Sequence, residues 1–141
     1  VTGLFGSLQG TVEKDGLRIC GNVRNCDFIS RMDLAFAAAD IVVSRAGAGT
    51  ISELCAVGKA TIFVPSPNVA EDHQTHNAMA LVDQDAASLA CDDTAADALI
   101  PAIEELLADR QRIAELEQNI LRLARPDAAA VIAGEVLALI K

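Results

Sequence analysis

The residues able to do chemistry fall in three short stretches, Phe28-Ile29-Ser30, Ser44 to Glu53 and Pro65 to Asn77. The middle stretch, Ser44-Arg45-Ala46-Gly47-Ala48-Gly49-Thr50, is the most informative. Its small residues let a backbone approach a ligand closely, and the free N–H groups of a helix beginning there favour an anion. A diphosphate is the natural guest. The spacing is not G-x-G-x-x-G, because only Gly47 and Gly49 fit. Nor is it a Walker loop, because Gly58-Lys59 lacks the preceding glycine and the following Ser or Thr.

Glu53 reads in two ways. Thr50-Ile51-Ser52-Glu53 has the form of a capping box, which would make Glu53 a helix-start residue and nothing more. Alternatively, its two carboxylate oxygens suit the vicinal hydroxyls of a ribose, one helical turn from the phosphates. The third stretch, Pro65-Ser66-Pro67-Asn68-Val69-Ala70-Glu71-Asp72-His73-Gln74-Thr75-His76-Asn77, is rich in side chains that bond sugar hydroxyls. Read plainly, Asp72 is an N-cap with solvated polar residues behind it. His73 and His76 stand three apart beside Asp72, but no third well-placed ligand completes a metal site. No Ser-His-Asp or Cys-His nucleophile pairing stands out.

These stretches need elements to carry them. A strand is expected over about Val23 to Phe28, followed by a helix that Ser30-Arg31-Met32-Asp33 caps and that runs through Ala39. Ile41-Val42-Val43 suits a buried parallel strand. A helix from about Thr50 to Val57 stops at Gly58, and Thr61 to Val64 is the next buried strand, closed by Pro65 and Pro67. A further helix begins near Asp72 and reaches Val82, and Ala87 to Ala90 make one more short strand. The remainder is helical. Leu99, Ile100, Ile103, Leu106 and Leu107 share a face, as do Ile113, Leu116, Ile120 and Leu123. Val131, Ile132, Val136, Leu139 and Ile140 form a third stripe after Pro126. The alternation defines an α/β fold of the Rossmann kind, a parallel sheet flanked by helices, with ligands beyond the carboxyl ends of its strands.

A length of 141 residues bounds this to one domain. Apolar residues make up 52% and charged residues 22%, a globular balance. The net charge is −9, and from Glu71 to Asp109 there are ten carboxylates and no Lys or Arg. Such a surface repels phosphate backbones, and with no Trp, no Tyr and four Phe it offers few stacking platforms, which argues against nucleic-acid binding. No apolar run reaches the ~18 residues of a membrane span, and no basic-then-apolar signal opens the chain. Val1 in place of Met leads us to expect a piece of something longer. Cys20, Cys26, Cys55 and Cys91 form no C-x-x-C pair and are expected to be reduced core cysteines; a zinc site or disulfide framework is the alternative.

The stretches Phe28 to Met32, Ala38 to Leu54 and Val64 to Ala78 resemble the MurG family of peptidoglycan glycosyltransferases, over about Val23 to Lys141, while Leu4 to Gly21 match poorly. The resemblance implies a GT-B enzyme of two Rossmann-like domains, of which this chain is most of the C-terminal, donor-binding one. It implies transfer of GlcNAc from UDP-GlcNAc, with inversion, to undecaprenyl-diphosphate-muramyl-pentapeptide, without metal or cofactor. The implied donor set is Ile29 at the uracil; Gly47, Ala48, Gly49, Thr50, Ile51, Ser52 and Glu53 around the diphosphate, ribose and sugar; and His73, Gln74 and Asn77 towards the GlcNAc. On this resemblance Glu53 takes the ribose hydroxyls.

The family's N-terminal acceptor domain, with its candidate base, and the first strand–loop–helix of the donor domain have no counterpart here, so no catalytic residue is expected in this chain. Thr2-Gly3 would end a family strand. The parent is implied to sit peripherally on the cytoplasmic side of the bacterial inner membrane, with this piece soluble and able to self-associate through an exposed sheet edge. A stand-alone, non-catalytic donor-binding subunit of a split transferase is the alternative reading. A purely structural fragment without ligand affinity is a third.

Overall fold

The computed structural model describes residues 12–14 and 16–140, so the expected strand end at Thr2-Gly3 lies outside the described residues. The chain divides into two compact units, Val1–Ala37 and Ala38–Lys141.

In the first unit, β1 (Val12–Lys14), β2 (Leu17–Cys20) and β3 (Val23–Asn25) make an antiparallel sheet in sequence order. Arg18 lies opposite Asn25, and Cys20 opposite Val23. The β2–β3 connection is the two-residue turn Gly21-Asn22, and Gly21 takes the positive φ of +58° that such tight hairpins demand. The strand expected over Val23 to Phe28 is therefore corrected: it stops at Asn25 and pairs antiparallel with β2. Arg18 helps fix the register, its Nε donating to Asn25 Oδ1 at 3.0 Å and its Nη2 pairing with Asp27 at 2.6 Å.

Helix α1 (Met32–Ala38) forms as expected, but its start differs. The carbonyl of Arg31 accepts the first helical bond, from Ala35 N–H at 3.1 Å. Asp33 does not reach back towards Ser30; the Arg31 guanidinium holds both its oxygens, at 2.6 and 2.9 Å. A charged donor outcompetes a backbone amide for the carboxylate.

The second unit carries the parallel sheet, β4 (Val42–Ser44), β5 (Thr61–Phe63) and β6 (Ser88–Leu89), in that spatial order. β5 is central and buried at every residue, which is why Thr61-Ile62-Phe63 shows no polar alternation. Helix α2 (Ala48–Val57) joins β4 to β5, and a 3₁₀ turn (Ala70–Asp72) and α3 (His73–Val82) join β5 to β6. Gly58, at φ +63°, ends α2; its N–H bonds the carbonyls of Leu54 and Cys55. A Cβ there would also meet Leu121 Cδ1 at 3.3 Å.

Two further helices, α4 (Ala95–Ala108) and α5 (Arg110–Arg122), pack on one face of this sheet. Their stripes supply Leu106, Ile113 and Leu116 to a core shared with Ala60, Ile62, Val64 and Ala90. Leu99 and Ile103 pack against it half-buried, while Ile100 and Leu107 face outwards. The last helix, α6 (Ala128–Leu139), corrects the third stripe. Val131, Ile132, Val136, Leu139 and Ile140 are all exposed: the helix is apolar on nearly every side, and the described residues bury none of it. Of the four cysteines only Cys55 is a core residue; Cys20 and Cys26 are half-buried and Cys91 is exposed. Burial pushes the Cys55 thiol up.

The turn from α3 to β6 is clamped by α5. Arg112 grips both oxygens of Asp85, at 2.6 and 2.9 Å, and Asn119 Nδ2 donates to the Asp85 carbonyl at 2.8 Å. The guanidinium holds the Asp85 carboxyl below its ordinary value of 3.8. A carboxyl depressed in the folded state stabilises fully above its unfolded pKa, and that contribution is lost as pH falls through the folded value. Denaturant midpoints at pH 7 and pH 3 should therefore converge more closely in Asp85→Asn than in the parent chain. Equal pH dependence in the two would remove Asp85 as a source.

Candidate functional site

The carboxyl ends of β4, β5 and β6 lead into three loops, and side chains tie these loops together. α2 starts at Ala48, two residues earlier than expected, with Gly47 as its N-cap in an extended conformation (φ −70°, ψ 142°). Thr50 is therefore inside the helix, and the capping-box reading of Thr50 and Glu53 is overturned. Ser52 Oγ donates to the Ala48 carbonyl at 3.0 Å, and among the described residues no side-chain hydrogen bond caps the first turn. Its amides, those of Ala48, Gly49 and Thr50, lack a helical acceptor by construction. This is an open, electropositive helix end.

Neither glycine here is explained by the chain itself. Gly47 and Gly49 do not have positive φ. Among the described residues a Cβ on Gly49 would meet nothing within 4 Å, and one on Gly47 only Thr50 Oγ1 at 3.9 Å. Internal packing leaves room for side chains at both, so the physical reason left for glycine is close approach from outside. Glu53 lies on the next turn of α2, exposed. Among the described residues no hydrogen bond or ion pair engages its carboxylate, which leaves both oxygens available as acceptors.

Helix α3 borders the same region. Asn77 Nδ2 donates to the carbonyl of buried Ala46 at 3.2 Å, and Gln74 Oε1 accepts the Ser66 N–H at 2.9 Å. One helical turn thus anchors both the β4 and the β5 loop. The Gln74 bond uses its carbonyl and leaves the NH₂ as donor. Asp72 is not the side-chain N-cap expected of it. At φ +50° its carboxylate accepts from Thr75 Oγ1 at 2.7 Å. His73 and His76 are exposed at the start of α3, and among the described residues no three His, Cys, Asp or Glu are placed to hold a metal. Ile29 belongs to the first unit, on the loop between β3 and α1, and is 45% exposed. The second unit thus gathers Gly47 to Glu53 with Gln74 and Asn77 around its loops.

Arg45 is the residue that motif reading passes over. Its Nη1 donates to the carbonyls of Val64 at 3.0 Å and Pro65 at 3.1 Å, and pairs with Asp92 beyond β6. The signal in the sequence is weak: a cation in a small-residue loop and a stretch of unpaired acids elsewhere, with nothing to say which acid it meets. Between the β5 and β6 loops lies a cleft of about 480 Å³ walled by Pro65, Pro67, Thr75, Leu89 and Asp92.

A parallel sheet with an open helix end and clustered polar groups at its carboxyl edge is the architecture of a nucleotide-binding α/β domain. The chain belongs to glycosyltransferase family 28: the model of its C-terminal domain matches residues 6–132. That match begins well upstream of Val23, where the resemblance in sequence was expected to start. A protein from Bacteroides fragilis, named UDP-N-acetylglucosamine–N-acetylmuramyl-(pentapeptide) pyrophosphoryl-undecaprenol N-acetylglucosamine transferase, is 50% identical over 128 residues, which is 89% of this chain and 34% of the relative. A protein of the same name from Christiangramia forsetii is 51% identical over 118 residues, covering 84% of this chain and 32% of that one. The crystal structure of Acinetobacter baumannii MurG superposes with a TM-score of 0.73 at 32% identity, over 79% of this chain and 32% of that one. The chain therefore spans about a third of the length of these relatives. No described helix is long and apolar enough to cross a membrane.

Proposed function

We propose that this chain is the donor-binding part of a glycosyltransferase that moves GlcNAc from UDP-GlcNAc to a lipid-linked muramyl-pentapeptide in peptidoglycan synthesis. The observation that carries the reading is the uncapped start of α2, with two glycines there that the chain's own packing does not call for. A diphosphate fits that place. Its oxygens accept from the amides of Ala48, Gly49 and Thr50, and its charge is met by the positive end of the helix. Glu53 takes the ribose hydroxyls, Gln74 offers its NH₂ to the sugar with His73 and Asn77 beside it, and the backbone at Ile29 meets the uracil. The names carried by the relatives supply the donor sugar and the acceptor.

In the reaction so inferred, the acceptor hydroxyl displaces UDP at the anomeric carbon with inversion. Negative charge grows on the departing diphosphate, where the α2 amides stabilise it. The proton of the hydroxyl goes to a base outside this chain, so the chain by itself binds without turning over. A lipid-linked acceptor supports a parent protein that works peripherally on the cytoplasmic side of the bacterial inner membrane. The outer edge of β4, unpaired among the described residues, supports self-association of the isolated chain.

Titrating UDP-GlcNAc into the isotope-labelled chain, with UDP-glucose as control, tests the reading. Amide shifts confined to Ile29, Ala48 to Glu53 and Gln74 are expected, larger for the GlcNAc donor. A dispersed spectrum that stays unmoved at millimolar ligand rejects donor binding by this chain.

A further inference from the structure

The geometry points to Asp92 as a positioning residue for the phosphate loop, acting through Arg45. This rests on the donor-binding reading above. Arg45 stands directly before Ala46-Gly47, the residues that deliver the chain into the open end of α2. Its guanidinium does not point into that end. It crosses to the carbonyls of Val64 and Pro65 and meets Asp92, 47 positions along the chain. One side chain thus links the loops following β4, β5 and β6. Carbonyl oxygens alone hold a guanidinium only as dipoles; the carboxylate of Asp92 supplies the opposing charge that favours this rotamer over the others open to a long side chain. On the other side of the same loop, Asn77 holds the Ala46 carbonyl. The loop is therefore braced from two directions, by α3 and by Arg45 with Asp92 behind it.

Asp92 is one of the ten acids between Glu71 and Asp109, a stretch without any Lys or Arg of its own. Its partner has to come from elsewhere in the chain, and Arg45 is that partner. Both side chains remain partly exposed, 53% for Arg45 and 32% for Asp92. A pair so placed adds little to global stability. Its effect is on which loop arrangement is populated, and an exposed pair shifts such an equilibrium by a factor of about five at most. Ligand affinity falls by the same factor when the competent arrangement becomes that much rarer.

The test compares the chain with Asp92→Asn, Asp92→Glu, Arg45→Gln and the double variant Arg45→Gln/Asp92→Asn. UDP-GlcNAc affinity, thermal midpoint and the amide spectrum without ligand are read for each. Asp92→Asn is expected to weaken UDP-GlcNAc about fivefold and to move the amides of Gly47 to Thr50, with the thermal midpoint nearly unchanged. Asp92→Glu should restore most of the affinity, and the double variant should bind no worse than Arg45→Gln alone, because the two residues form one device. Unchanged affinity in Asp92→Asn, or additive losses in the double variant, overturns the proposal. Should the parent chain itself fail to bind UDP-GlcNAc, the donor reading falls. The bracing by Asp92 is then judged on the ligand-free amides: shifts at Gly47 to Thr50 uphold it and their absence overturns it.

Discussion

Glu53→Ala is expected to weaken UDP-GlcNAc binding roughly 10- to 150-fold, the cost of about 1.5–3 kcal/mol for hydrogen bonds to a charged group. Its thermal midpoint should stay within about 2 °C of the parent, since an exposed side chain without partners changes stability by less than about 0.5 kcal/mol. The clean separation follows from the structure. Were Glu53 part of a capping box, its removal would unravel the start of α2 and blur the two effects. It lies instead a full turn inside a helix that starts at Ala48, exposed and without a partner among the described residues. Isothermal titration and a melting curve on the same two samples decide the matter. A large drop in midpoint with proportionate loss of binding would show that Glu53 holds the helix and not the ligand.

Leu116→Ala is expected to cost about 3–5 kcal/mol, roughly a fifth or more of the stability of an ordinary domain. Leu116 is fully buried, and its face of α5 closes the core over Ala60, Ile62 and Val64. Removing three carbons there leaves a cavity bounded by sheet and helix residues that have little freedom to collapse into it. The urea midpoint should fall sharply with its slope unchanged. The same kind of truncation at Ile132, which is 63% exposed on α6, should change the midpoint hardly at all. Comparable losses at both positions would mean that α6 is covered in solution by something the described residues do not supply.

The parts of the fold legible in the sequence are those where burial dictates residue type over several positions. Thr61-Ile62-Phe63 could be read as a central parallel strand because both of its faces are covered, and Ile113, Leu116 and Ile120 announced the buried face of α5 by spacing alone. The antiparallel sheet of the first unit was hard to read for the opposite reason, although the helix after it was legible. Its strands are three and four residues long and none of their described residues is fully buried, so no periodicity develops, and the Gly21-Asn22 turn that defines them is easily passed over. α6 misled because its apolar residues imply burial, while the described residues provide nothing to bury them. At the candidate site, composition alone pointed to the glycine loop. Thr50 suggested the wrong helix start because it is a good capping residue sitting three positions after the actual N-cap, Gly47. Arg45 and Asp92 could not be paired by inspection, since distance along the chain hides which acid a loop cation reaches.

The bare N-cap at Gly47 has a consequence for how such a chain can change over generations. A Ser, Thr or Asp at that position would satisfy one of the first-turn amides and stabilise the helix by roughly a few tenths of a kcal/mol relative to glycine. The backbone there is already extended, as a capping residue requires, and the space for a side chain is open. Drift towards greater robustness therefore has an easy route through this residue. The hydroxyl or carboxylate so gained would occupy one of the amides that, on the donor-binding reading, receive the diphosphate. A sturdier chain and a weaker donor site would arrive by the same mutation, and selection for function is what would keep that route closed.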